Sequence, residues 1–328
     1  MLLLLLQVIW MAKKEKAKAG RSKPAARKAN ESRHQPAKPS KAAKVKKTSL
    51  VRSMQKPEVS PVSHARQASE GKKPRCLVLA GFGLNSEAEL AHAFSLAGAE
   101  VDIVHFSDIA SGEKKLSSYH IFAIPGGWSF GDDIGGGRVL SNKLKSTFRR
   151  DFEEFAQKGK PIIGICNGFQ VLVKLGALPN FSFSQESTLT ANESGKFEDR
   201  WVYLKPQKSV CKYFEGVELM HCPVRHGEGR FLADRQLLDS LEKKGMVVVK
   251  YSDSALDDSA GYPYNPNGSS RNIAGICDPT GKIFALMPHP ECSVDSRTHP
   301  RFLEGISSER NSRRFFENVV KAALEFAD

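Results

Sequence analysis

The sequence predicts an α/β fold: a mostly parallel open sheet with helices on both faces. Three observations carry this. Short apolar runs alternate with stretches of helical spacing between residues 74 and 166, the pattern of a parallel sheet covered on both sides. Three motifs stand where predicted strands end, namely Gly126-Gly127, Cys166 and the Pro-His-Pro-Glu run 288–291. Open sheets of this kind gather their chemistry at the carboxyl ends of strands. The patterned part, about 250 residues long, can bury one large core.

The elements follow in order. Residues 74–80 read as a short buried strand, and a turn covers 81–86. Leu90, Ala93, Phe94 and Ala97 recur at helical spacing over 87–96, and Gly98 stops that helix. Strands follow at 101–106 and 119–124, the second ending in Pro125-Gly126-Gly127. A long helix is expected over 138–157, where charged and apolar residues interleave. A fourth strand, 161–165, ends at Cys166. The second half is richer in strands, at 201–204, 219–222, 247–251, 273–277 and 283–287. An amphipathic helix over 313–326 follows them.

The chain has 328 residues and a net charge of +13, but the charge is not spread evenly. Residues 1–75 hold 20 of the 49 basic and 4 of the 36 acidic side chains. The rest is close to neutral and gives no electrostatic reason to expect nucleic acid. The division expected is a Lys/Ala/Pro-rich tail over 1–73 and a folded domain over 74–328. The tail is too poor in apolar residues to offset its ordering entropy, so disorder is expected. Its plainer reading is a solvated segment, and the alternative is an electrostatic arm for nucleic acid or an acidic partner.

Met1 to Trp10 are apolar, but ten residues cannot cross ~30 Å of hydrocarbon. Positive charge follows this stretch instead of preceding it, against a signal peptide. Met11 reads as the start, with residues 1–10 an upstream extension. None of the six cysteines forms a Cys-x-x-Cys pair, so neither a zinc site nor a redox dithiol is signalled. Absence of a disulfide framework fits a reducing, cytoplasmic setting.

The chemistry concentrates at Cys166. An apolar strand ends there, with Gly164 and Gly168 two residues to either side. This is the form of a nucleophile elbow with sulfur in place of oxygen. The helix that leaves the turn points its N-terminus at the sulfur, which favours the reactive thiolate. The bland alternative is a buried core cysteine. A cysteine nucleophile needs a base, and the base needs a partner to hold its tautomer. His289 follows a strand directly and is stiffened by Pro288 and Pro290. Glu291, two residues on, falls on the same side of an extended segment and can accept the imidazole N–H. Gly126-Gly127 leaves backbone N–H groups uncovered, and with the amide of Asn167 these can form an oxyanion hole. Asp132 and Asp133 are potential metal ligands, but acidic residues before a helix more simply complement its dipole. Gly135-Gly136-Gly137 lacks the Lys-Ser/Thr of a Walker A loop and reads as a helix start.

In combination these motifs resemble the class I (triad) glutamine amidotransferases. Pro125-Gly-Gly-Trp-Ser-Phe-Gly-Asp-Asp133, Gly164-Ile-Cys-Asn-Gly-Phe-Gln170, His226-Gly-Glu-Gly-Arg-Phe231, Pro266-Asn-Gly-Ser269 and Met287-Pro-His-Pro-Glu291 narrow the resemblance. They are similar to the glutaminase-subunit family of phosphoribosylformylglycinamidine synthase, over residues 75–327. The resemblance implies a flavodoxin-like three-layer sheet, with Cys166 as nucleophile, His289 as base and Glu291 as its orienter. It further implies that Gly126, Gly127, Asn167 and Gln170 hold glutamine and its oxyanion, and that His226 borders the pocket or a partner interface. No metal or cofactor is implied in this chain. ATP and magnesium are expected on a synthetase subunit, alongside a small accessory subunit. Two departures stand out: Gly81-Phe-Gly-Leu-Asn85, where the family often has Gly-x-Asn-Cys-Asp, and the basic tail. The competing readings are a triad amidotransferase serving another synthetase, and a non-catalytic interaction protein on the same scaffold.

Overall fold

The inner strands of the first half are short and almost wholly apolar, because they are buried on both faces, whereas the edge strand that follows the first helix buries only Val104. The computed structural model describes residues 72–327. The readings made for residues 1–71, a disordered tail, a start at Met11 and an electrostatic arm, lie outside the described residues. Strand β1 (Arg75–Ala80) leads through a tight loop into helix α1 (Glu87–Leu96), then strand β2 (Glu100–His105) and a short helix α2 (Phe106–Ala110). Strand β3 (Ile121–Ile124) has all four residues buried. After a glycine-rich loop come helices α3 (Arg138–Thr147) and α4 (Arg149–Gln157), strand β4 (Ile162–Ile165) and helix α5 (Asn167–Leu175).

The second half contributes β5 (Thr188–Thr190), β6 (Glu198–Pro206), β7 (Met220–His226), β8 (Arg230–Leu232), helix α6 (Arg235–Lys243), β9 (Val247–Ser252), β10 (Ile273–Cys277), β11 (Ile283–Leu286) and helix α7 (Glu309–Ala323). The main sheet has nine strands in the order β2-β1-β3-β4-β11-β10-β9-β6-β7, and β5 pairs with β8 in a separate ribbon. The pairings from β2 to β11 are parallel and those beyond it antiparallel. Only β10 and β6 therefore run against the common direction, and the expected mostly parallel α/β sheet is present.

This order sets up the site. Strands β3, β4 and β11 are adjacent and parallel, with Ile124 opposite Gly164 and Leu286 opposite Ile165. Gly126-Gly127, Cys166 and His289 follow these three strands, so they emerge side by side at one edge. Strand β7 ends at the same edge with Arg225 and His226, and the His289 N–H bonds Pro223 O at 2.8 Å.

Several boundaries differ from the sequence reading. The single helix expected over 138–157 is two helices broken at Phe148 (φ −140°, ψ 38°). Phe148 is buried with its ring 5.2 Å from that of Phe106, and packing that ring interrupts the backbone. Helix α7 begins four residues before the expected position, and a 3₁₀ turn covers 324–326. Helix α6 and the β5–β8 ribbon have no counterpart in the sequence reading. Gly137 (φ 71°) is the residue from which α3 starts, as the helix-start reading of the glycine run expects. Among the described residues no helix is long and apolar enough to cross a membrane.

Candidate active site

Cys166 holds the turn between β4 and α5 in a backbone conformation rarely adopted by side-chain-bearing residues (φ 51°, ψ −103°). Such a position costs on the order of 1–3 kcal/mol and persists only where its surroundings enforce it. Here they do. The Cys166 N–H donates to Leu286 O (2.8 Å), and its carbonyl accepts from the N–H of Phe169 (3.0 Å) and Gln170 (3.2 Å). Gly168 is required because a Cβ there would run into the backbone carbonyl of Ile124.

His289 and Glu291 are both buried, at 4% and 2% exposure. The Nδ1 atom of His289 lies 2.6 Å from Glu291 Oε1, while His289 Nε2 and Glu291 Oε2 are buried with no hydrogen-bond partner. Burial alone would push the imidazole pKa down. The Glu291 carboxylate and the adjacent Cys166 outweigh it, and His289 is held well above the usual histidine range. Gly126 touches both partners: a Cβ there would lie 2.7 Å from His289 Cε1 and 3.4 Å from Cys166 Cβ. The N–H groups of Gly127 and Asn167 donate to no other protein group among the described residues.

These groups open into a cavity of about 290 Å³, which Gly127, Cys166 and His289 line together. That is near the lower limit of ligand pockets and suits a molecule of amino-acid size. Glu89 and Arg225 place one negative and one positive charge on its wall. Trp128 and Phe197, ring centroids 5.5 Å apart and each 48% exposed, also line it. Sequence reasoning missed these four. Arg225 was within reach, since it directly precedes the His226 motif, but Glu89 in α1 and Phe197 just before β6 are brought together only in the folded chain. The departing loop also borders the cavity, through Asn85 and Ser86, whose N–H groups both bond Gly126 O.

Gln170, expected to hold glutamine, and His226, expected to border the pocket or a partner interface, are both buried. Gln170 is buried beneath the pocket with its amide committed, accepting from Asn167 Nδ2 (2.7 Å) and donating to Glu228 O (2.6 Å). It braces α5 against the β7–β8 turn. His226 is buried under Gly229, with Nδ1 3.0 Å from Asn192 Oδ1. Burial, aided by the charge of His289, pushes its pKa down to about 3, so it stays neutral. The Asn167 side chain likewise faces Asp132 and Gln170, leaving only its backbone N–H toward Cys166. Asp132 Oδ1 accepts from Asn167 Nδ2 (3.2 Å) and the Gly137 N–H (3.4 Å), which ties the glycine-rich loop to the elbow.

A strained cysteine on a strand-to-helix turn, backed by a buried His–Glu pair, is the layout of an enzyme that transfers acyl groups through a thioester. Comparison with known proteins gives this class a family. The CobB/CobQ-like glutamine amidotransferase domain model matches residues 73–321. The chain is 45% identical over 264 residues to phosphoribosylformylglycinamidine synthase subunit PurQ of Methanococcus maripaludis, covering 77% of this chain and 97% of that protein. The subunit of that name from Dehalococcoides mccartyi is 42% identical over 256 residues, covering 77% and 99%. Among solved structures, PurLQS from Thermotoga maritima superposes with a TM-score of 0.58 at 29% identity, over 76% of this chain and 98% of that one. The chain belongs to the CobB/CobQ-like glutamine amidotransferase family and, within it, to the phosphoribosylformylglycinamidine synthase subunit PurQ group.

Proposed function

We propose that this chain hydrolyses glutamine through Cys166, His289 and Glu291 and delivers the ammonia to a synthetase subunit. The observation that carries the reading is the 2.6 Å His289–Glu291 contact behind the strained Cys166 elbow. Sγ of Cys166 attacks the side-chain amide carbon of glutamine. Negative charge develops on the amide oxygen and is met by the N–H groups of Gly127 and Asn167. One such donor is worth about 3 kcal/mol. His289 gives the proton on Nε2 to the departing ammonia, leaving a γ-glutamyl thioester. The same nitrogen then takes a proton from water, the hydroxide cleaves the thioester, and glutamate leaves. Throughout, Glu291 holds Nδ1–H and so keeps Nε2 directed at the reaction. Arg225 and Glu89 complement the carboxylate and ammonium of the amino-acid substrate.

Ammonia is a nucleophile only while unprotonated, so shelter from water on its way to the acceptor is required. The proposed partner is the synthetase subunit of phosphoribosylformylglycinamidine synthase, together with a small accessory subunit, in the cytoplasm. That synthetase would bind ATP and magnesium and convert formylglycinamide ribonucleotide to the amidine, while this chain needs no cofactor of its own. The test is glutamate release from glutamine with and without the synthetase partner, beside Cys166→Ala. Partner-stimulated release, lost in the variant, is expected. Release that survives Cys166→Ala, or none from the wild-type complex, contradicts the reading.

A further inference from the structure

A second cavity, of about 330 Å³, lies beside the glutamine pocket, lined by Glu291 and Cys292 together with His92, Trp201, Arg225 and Asp295. Cys292 takes no part in the reaction proposed above and is partly exposed. Its Sγ lies 3.9 Å from Glu291 Oε1. One donor atom each from His289, Glu291 and Cys292 lie within 4.8 Å of one another. The second carboxylate oxygen of Glu291 is buried and bonded to nothing. Nitrogen, oxygen and sulfur donors are the ligand types of zinc; at its bond lengths of about 2.0–2.3 Å the sulfur closes in, and the His289–Glu291 pair, now 2.6 Å apart, parts to admit the metal.

We propose that Cys292, Glu291 and His289 form an inhibitory binding site for a thiophilic divalent cation of the zinc type, reached through this second cavity. Binding involves no redox change: the Cys292 thiol releases its proton to solvent and the sulfur bonds the metal. His289 binds through Nδ1, so the Nδ1 proton leaves to solvent and Nε2 keeps its own. The imidazole then cannot accept a proton from water or from Cys166, and the Glu291 contact is lost to the metal. The half-exposed Arg225 guanidinium, 3.9 Å from Cys292 Sγ and 4.0 Å from Asp199, opposes the cation and must swing outward. The inhibitory consequence rests on the glutaminase reading, whereas the binding site does not.

The test uses Co²⁺ as a spectroscopic stand-in on the purified full chain, with Zn²⁺ as competitor. Thiolate-to-cobalt charge-transfer absorption is expected in the wild type and in Cys166→Ala. It should be absent in Cys292→Ser, whose fold is checked by circular dichroism. Absorption that depends on Cys166, persists in Cys292→Ser or is missing from the wild type overturns the site. In the complex with the synthetase partner, Cys292→Ser should keep its glutamate release. Its half-inhibiting Zn²⁺ concentration should rise by at least about 100-fold, since even outer partners of metal ligands are worth roughly 10–100-fold. Equal inhibition of both proteins overturns the inhibitory role. If the wild-type complex releases no glutamate, the glutaminase reading fails while the cobalt result still decides the site.

Discussion

At the scale of single residues, the proposed chemistry rests on one buried contact, Glu291 to His289. Glu291→Gln removes the charge and keeps the shape. NMR titration of the His289 ring should then show its pKa falling from well above the usual value, because burial is no longer outweighed. Glutamate release should fall by roughly 10³–10⁴-fold, the scale seen when the orienting carboxylate of a triad is neutralised. An unchanged His289 titration would remove Glu291 from the account. Arg225→Ala should raise KM for glutamine about tenfold with kcat nearly kept, a modest effect because the guanidinium is half exposed. Cys166, His289 and Glu291 were legible in sequence because elbow glycines and flanking prolines mark them. Sequence motifs do not distinguish a residue that lines a pocket from one that supports its wall, and Gln170 and His226 are buried behind the wall.

At the scale of elements, the site is the carboxyl edge of three adjacent parallel strands, β3, β4 and β11. The alternation of short apolar runs made these strands legible, yet nothing in the sequence places β11 next to β4, more than a hundred residues earlier. The helix break at Phe148 was hidden for a related reason: tertiary packing of one aromatic ring overrides a locally continuous helical pattern. Helix α6 did carry a local signal, since Asp234 stands at its N-cap and accepts the Leu237 N–H at 2.7 Å. Asp234→Ala should cost about 1 kcal/mol in chemical denaturation. Gly168→Ala should cost more, of order 1–3 kcal/mol, because its Cβ would meet the backbone of β3 instead of a movable side chain. If Gly168→Ala proved as stable as wild type, the close approach of α5 to β3 would be wrong.

At the scale of the whole molecule, buried and half-buried histidines should shape stability against pH. His226, held down to about 3 from 6.5, and His221, held down to about 4 by burial and by His299, stay neutral in the fold but charge when it opens. The unfolded chain therefore binds more protons below 6.5, and stability should drop as pH falls from about 6.5 toward 4. His289 acts oppositely. Its raised pKa contributes stability that is fully present below 6.5 and is lost as pH rises through the folded value. Denaturant midpoints measured across pH should thus fall on the acid side, and His226→Gln should flatten that limb; an unaltered acid limb would place the loss elsewhere. The central claim, a thioester on Cys166, is tested most directly by mass spectrometry of the chain. It would be mixed with glutamine and its synthetase partner and then quenched in acid. A γ-glutamyl adduct is expected on the peptide containing Cys166 and absent from Cys166→Ala. An adduct on another residue, or undiminished turnover in that variant with no adduct, would contradict it.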